Sequence, residues 1–225
     1  MKRSPRLAQK PMAMAAIDDM TQNRTAQTAT IVLASASVTR ADMLRRAGMA
    51  FAIDPAHVDE DEVKRALRGS GATAAALAEK LAELKAGKIS ARHGGAFVIG
   101  ADQVLDCQGR WFDKPTDRAA ARAQLLDLRG KPHELLSSVC VLRDGERLWH
   151  HVGRARLTIR PFSEGFLDSY LDQAGSAVLQ SVGAYQLEGL GAQLFSQVEG
   201  DYFTILGLPL LPLLDFLRDQ GVMRT

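Results

Sequence analysis

The chain has 225 residues, 46% of them apolar, and its 28 basic and 26 acidic side chains leave a formal charge of +2. That length builds a core that folds without staples, and so even a charge balance gives no global field for binding nucleic acid or a membrane. No run of about 18 apolar residues marks a membrane span, and Cys107 and Cys140 form neither a disulfide framework nor a zinc motif.

Residues 1–29 are rich in Ala, Thr, Gln, Met, Lys and Arg and lack the apolar centre of a signal peptide. They read as a disordered tail or a misplaced start. One domain over 30–225 and a cytoplasmic location with reduced thiols are the expectation. Ile31 to Ala34 is a short apolar strand, followed by Ser-Ala-Ser and a helical pattern from Val38 that ends at Gly48. Met49 to Ile53 reads as a second strand and Asp54 to Glu62 as an acidic loop. Thr73 caps an alanine- and leucine-rich helix to Ile89.

Phe97 to Gly100 reads as a strand ending in Ala101-Asp102. Val104 to Cys107 and Trp111-Phe112 flank Gln108-Gly109, a hairpin signal. A helix from Thr116 to Leu128 closes at Gly130. Leu135 to Leu142 and Glu146 to Ile159 are strands joined by the hairpin pair Asp144-Gly145. Ser163 caps a helix to about Asp172, a glycine-rich stretch runs from Gly183 to Gly191, and Gln193 to Val198 is a strand. Leu208 to Gln220 is a closing helix with Pro212 in its first turns. Interspersed helices and long hairpins predict an α/β fold with a mixed sheet.

Three segments carry candidate chemistry. In Leu33 to Arg40 a strand enters a helix N-terminus through Ser35 and Ser37. Free N–H groups and hydroxyls there suit an anion. Arg40, in the first helical turn, opposes the helix dipole unless a phosphate is bound. In Val98 to Val104, period two puts Val98, Gly100, Asp102 and Val104 on one face. A carboxylate buried there needs a metal, a cation or good hydrogen bonds. His57 to Glu62 offers hard oxygen donors of the kind magnesium or manganese prefers, unless it is a solvated acidic loop. Lys114 follows the hairpin, and Lys85 lies on a helix that can face a cleft. His133, His150 and His151 lack metal-ligand spacing and read as structural.

Taken in order, Ser35-Ala-Ser37…Arg40, Val58-Asp59-Glu60, Lys85-Ala86, Gly100-Ala101-Asp102, Lys114-Pro115, Leu128-Arg129-Gly130, Gly183-Ala184-Tyr185, Glu188-Gly189, Glu199-Gly200-Asp201 and Gly207-Leu208-Pro209 resemble the Maf family over about residues 31 to 220. The resemblance implies an elongated mixed α/β fold like that of the inosine triphosphatases, with two lobes around a cleft. It implies hydrolysis of a nucleoside triphosphate to the monophosphate and pyrophosphate with a divalent metal, Mg2+ or Mn2+, and a homodimer. Asp102 matches the family's proton acceptor and Glu60 its second acidic residue; Glu60 is the expected metal ligand, with Asp102 as base or as a shared ligand. Ser35, Ser37, Arg40, Lys85 and Lys114 match polar and basic positions that suit a triphosphate.

Four positions depart from the usual pattern. Val38-Thr39 stands for Pro-Arg, Gln103 for Thr and Glu188 for Gln. Thr39, Gln103 and Glu188 match positions tied to base choice, and Gln103 and Glu188 resemble the 7-methyl-GTP branch, which commonly has Trp where Thr39 sits. A carboxylate accepts from a guanine's N1–H and N2 amine together and favours a 7-methylated, cationic purine. The alternatives are a dTTP/UTP or broad-specificity pyrophosphatase, or a non-catalytic nucleotide-binding regulator of cell division.

Overall fold

The computed structural model describes residues 30–223. The expected tail over residues 1–29 lies outside them. Strand β1 (Ile31–Leu33) leads into helix α1 (Val38–Arg46), then β2 (Ala52–Ile53), α2 (Glu60–Gly69) and α3 (Ala74–Ser90). The middle of the chain is β3 (Phe97–Cys107), β4 (Arg110–Phe112), α4 (Arg118–Leu128), β5 (Pro132–Arg143) and β6 (Glu146–Ile159). Helix α5 (Glu164–Ala174) precedes three 3-10 turns, and β7 (Phe195–Glu199), α6 (Tyr202–Ile205) and α7 (Leu210–Asp219) complete the chain.

The strands form one mixed sheet in the order β2-β1-β3-β5-β6-β7, with β4 paired to the far end of β3. β1 runs parallel to β2 and β3, and the remaining pairs are antiparallel. Both hairpin signals hold. Gln108-Gly109 and Asp144-Gly145 each carry positive φ at both residues, 56° and 82°, then 51° and 82°. This backbone matches the twist of paired strands.

Two expectations need correction. β3 does not stop near Asp102 but continues to Cys107, so Asp102 lies mid-strand, opposite Ser138 of β5. The acidic run is not all loop. Asp59 caps α2 by accepting from the Glu62 amide at 3.0 Å, and Glu60, Asp61 and Glu62 fill the first turn. Three carboxylates there complement the positive end of the helix dipole. The closing helix is found as α7, and the short α6 before it starts on its own cap, Asp201.

Side chains of β3 alternate between faces. Ile99 and Ala101 pack with α1 and α7, where Leu44, Leu213 and Leu217 are fully buried. Leu105 and Cys107, on the same face, pack with α4 and α5 around Leu125, Leu128 and Leu167. Each such leucine contributes about 2 kcal/mol by leaving water. Between the two clusters this face carries Gln103, and here the apolar covering is interrupted. On the other face Val98 and Val104 contact separate groups of α3 side chains. Trp149 of β6 stacks on Phe216 at 5.2 Å between centroids and holds α7 to the sheet.

Candidate active site

Along one edge of β3, β1 pairs only as far as Ile99 and β4 only from Leu105, and the gap between them opens into a cleft of about 1160 Å3. Its walls come from the β1–α1 turn, α2, α3, the middle of β3, the segment after β4 and the turns between α5 and β7. Ser35, Ser37, Thr39, Arg40 and Glu60 all line it, and so do Lys85, Asp102, Gln103, Lys114 and Glu188. All ten sequence-expected residues therefore face one space.

The centre is a carboxylate–ammonium–carboxylate array. Lys85 Nζ of α3 lies 2.5 Å from Asp102 Oδ1 and 2.7 Å from Glu60 Oε1. Asp102 is buried. Burial raises its pKa, and the nearby Lys85 and Arg40 charges only partly oppose that, so the carboxyl stays above its ordinary range. Glu60 ends on the other side. Burial pushes its pKa up, but Lys85, then Lys64 and Arg40, outweigh burial and hold the carboxyl below its usual value. Two carboxylates of unlike basicity thus share one cation.

The β1–α1 turn is folded by its own side chains. Ser37 caps α1, its Oγ accepting from the Arg40 amide at 3.3 Å, and Ser35 Oγ accepts from the Ser37 amide at 3.3 Å. Arg40, in the first turn of α1, is tied into the fold. Its Nε donates to Gly207 O at 2.8 Å, and its Nη1 donates to Ser35 Oγ at 3.1 Å and Ala101 O at 3.0 Å. Burial lowers its pKa, opposed by Asp102 and Glu60. Among the described residues its Nη2 hydrogens have no acceptor, leaving two of the five guanidinium donors for a ligand.

Lys114 makes no hydrogen bond or ion pair among the described residues. Burial first, then the positive charges of Arg40 and Lys85, lower its pKa. Mutually repelling cations around a cavity are stabilised by a polyanion between them. Gln103 Nε2 donates to Ser137 Oγ, Thr204 O and Ile205 O at 2.9, 3.1 and 3.0 Å. Its carbonyl Oε1, beside Gly207, is left as the free end of the amide. Glu188 is exposed at the rim. Thr39, Lys114 and Glu188 share the cleft with the central array without a polar contact to it.

Lys64 was missed from the sequence. It lines the cleft, pairs with Asp113 and lies 3.7 Å from Glu60 Oε2. The signal is its i,i+4 spacing from Glu60, which puts both on one helix face, but that spacing counts only on a helix, and the acidic run reads as loop. Tyr185 also lines the cleft, and its hydroxyl meets buried His133 Nε2 at 2.7 Å.

Among the described residues no group of three or more His, Cys, Asp or Glu is arranged to hold a metal. The Asp102–Glu60 pair is nonetheless suited to a shared ion. Magnesium is commonly held by one or two carboxylates with substrate phosphates and water, and these carboxylates already converge on one positive charge.

A family model described as Maf-like protein matches residues 30–220. A "Nucleoside triphosphate pyrophosphatase" of Paramagnetospirillum magneticum is 64% identical over 190 residues, covering 84% of this chain and 98% of the relative. One of the same name from Granulibacter bethesdensis is 56% identical, covering 86% and 98%. A "7-methyl-GTP pyrophosphatase" of Brucella abortus is 49% identical, covering 86% and 97%. With its cleft built from the motifs that carried the resemblance, and a family match over nearly its whole length, the chain belongs to the Maf family.

Proposed function

We propose that this cleft hydrolyses a nucleoside triphosphate to the monophosphate and pyrophosphate. The observation that carries the reading is the Asp102–Lys85–Glu60 array beside the unpaired cation Lys114 and the free Nη2 edge of Arg40. Relatives named for this activity, up to 64% identical, support it. A pure nucleotide binder has no use for a buried carboxylate of raised basicity beside phosphate-binding cations.

Attack of water at the α-phosphorus needs alignment, charge neutralisation and proton removal. Asp102 accepts the proton of the attacking water, a role favoured by its elevated pKa. Lys114 and Arg40 Nη2 bind the phosphates. Ser35 and Ser37 shape the turn that carries Arg40. Glu60 is the expected carboxylate ligand of a divalent cation, magnesium or manganese; Asp102 would share that ion only at the expense of its basicity. When bound, that ion neutralises charge on the triphosphate.

The base preference proposed is 7-methyl-GTP. Gln103 offers an acceptor, because its amide nitrogen is committed to three protein oxygens. Glu188 offers two more acceptor atoms at the rim. Acceptors suit the donor-rich edge of a guanine and a cationic 7-methylated ring. A relative named 7-methyl-GTP pyrophosphatase at 49% identity supports this preference. A nucleotide panel with 7-methyl-GTP, GTP, dTTP and UTP, with and without magnesium, tests both levels. Magnesium-dependent pyrophosphate release is the expected result. Release that is fastest with dTTP or UTP overturns the base preference, and none with any nucleotide overturns the reaction.

A further inference from the structure

Helix α2 buries none of its residues fully. Val63 and Leu67 pack against the α3 leucines, and the outer part of the helix is fastened to the β4 hairpin by two cations one turn apart. Arg68 lies 5.1 Å above the Trp111 ring and donates to the Trp111 carbonyl at 3.4 Å. Lys64 reaches deeper and pairs with Asp113. Its side chain is only 17% exposed, unusual for a lysine on a helix at the molecular surface. Burial opposes its charge, but Asp113, then Glu60 and Asp61, more than restore it.

Two consequences meet at this ammonium. Glu60 is held from both sides, with Oε1 2.7 Å from Lys85 on α3 and Oε2 3.7 Å from Lys64 on its own helix. Asp113 adjoins Lys114, so the same ammonium ties the helix carrying Glu60 to the segment carrying the unpaired phosphate-facing cation. We infer that Lys64 is a positioning residue of the cleft, bridging to Asp113 so that Glu60 and Lys114 are kept in register. The inference rests on the nucleotide-hydrolysing reading of the cleft for its functional consequence and on the Lys64–Asp113 pair for its geometry.

A direct phosphate contact by Lys64 makes the opposite forecast for Asp113. If Lys64 bound phosphate itself, removing Asp113 would release the ammonium to the nucleotide and lower KM. If Lys64 positions, removing either partner lowers kcat and leaves KM nearly unchanged. The test is a double-mutant cycle of Lys64→Met and Asp113→Asn, with Lys64→Arg as the conservative variant, read by kcat and KM for magnesium-dependent pyrophosphate release. Each single variant should lose kcat by about tenfold, the scale expected of a small misplacement, with KM nearly unchanged. The double variant should be no worse than either single one, and Lys64→Arg should recover most of the loss. Multiplying losses, no loss, or an Asp113→Asn protein with lowered KM beside a Lys64→Met protein with raised KM would each overturn the inference. Thermal melts of the same proteins read the bridge without catalysis and should give non-additive shifts in Tm; additive shifts would also overturn it. An inactive wild-type protein with coupled melts would defeat the hydrolase reading alone.

Discussion

Lys85 reaches Asp102 at 2.5 Å because α3 lies almost in contact with β3 two residues earlier, at Gly100. A Cβ built on Gly100 would lie 2.2 Å from the Ala82 carbonyl oxygen and 2.7 Å from the Ala86 Cβ. The glycine is needed for this approach, since its φ is not in the left-handed region. Ala82 and Ala86, both fully buried, are the matching small residues on the helix, and Lys85 lies between them in sequence. Core packing and site assembly are therefore one feature of the fold.

Gly100→Ala should destabilise the protein by about 1–3 kcal/mol or more, because backbone on one side and a helix on the other cannot both give way. It should also lower kcat as α3 moves Lys85 from Asp102. Chemical denaturation with parallel turnover assays checks this. Unchanged stability would mean that α3 can shift freely.

The Lys85 ammonium stands where the two carboxylates converge, so a divalent ion has to compete with it. Lys85→Met should bind Mn2+ more tightly than wild type in the absence of nucleotide, by about tenfold or more, since one repelling charge has gone and two carboxylates are left facing each other. Turnover should fall in the same variant. Electron paramagnetic resonance titration of free Mn2+ reads the first effect independently of the second. A Lys85→Met protein with unaltered manganese affinity would show that the ion binds elsewhere.

Much of this arrangement was legible in the residues. Period two along β3 put Gly100, Asp102 and Val104 on one face, and α3 covers that face. Thr73 and Ser163 cap helices as expected. The extent of β3 was not legible, because Gly100 and Asp102 interrupt an apolar run, and the residues that compensate them lie 14 or more positions away on another element. The same holds for Arg40. Its acceptors Ala101 and Gly207 are 61 and 167 residues distant, so local sequence left its guanidinium in water. The acidic run was misjudged for a local reason: Asp59 is a good cap, and carboxylates belong in a first helical turn, but a polar run without apolar periodicity reads as loop.

Glu188 tests the base preference most directly. Glu188→Gln keeps the size but replaces one acceptor with a donor and removes the charge. The ratio of kcat/KM for 7-methyl-GTP to that for dTTP should fall by about tenfold or more, the scale of one lost charge-assisted bond. The loss should be larger for 7-methyl-GTP than for GTP, because the methylated ring carries the charge that Glu188 complements. An unchanged ratio would place base selection elsewhere in the cleft.

His133 gives the fold a pH dependence of definite sign. It is buried on β5, with Nε2 at 2.7 Å from the Tyr185 hydroxyl and Nδ1 without a hydrogen-bond partner. Burial lowers its pKa from 6.5 to about 4. Below pH 6.5 the unfolded chain takes up a proton that the folded protein refuses until about pH 4. Stability from this residue is therefore complete above that window and declines as pH falls through it, by at most about 3 kcal/mol. Denaturant midpoints measured across the window should drop for the wild type and drop less for His133→Gln, which has no group titrating there. Tyr185 lines the cleft, so protonating His133 should also loosen the cleft wall before global unfolding, seen as earlier hydrogen exchange in residues 183–188. Equal slopes in the two proteins would show that other groups govern the acid limb.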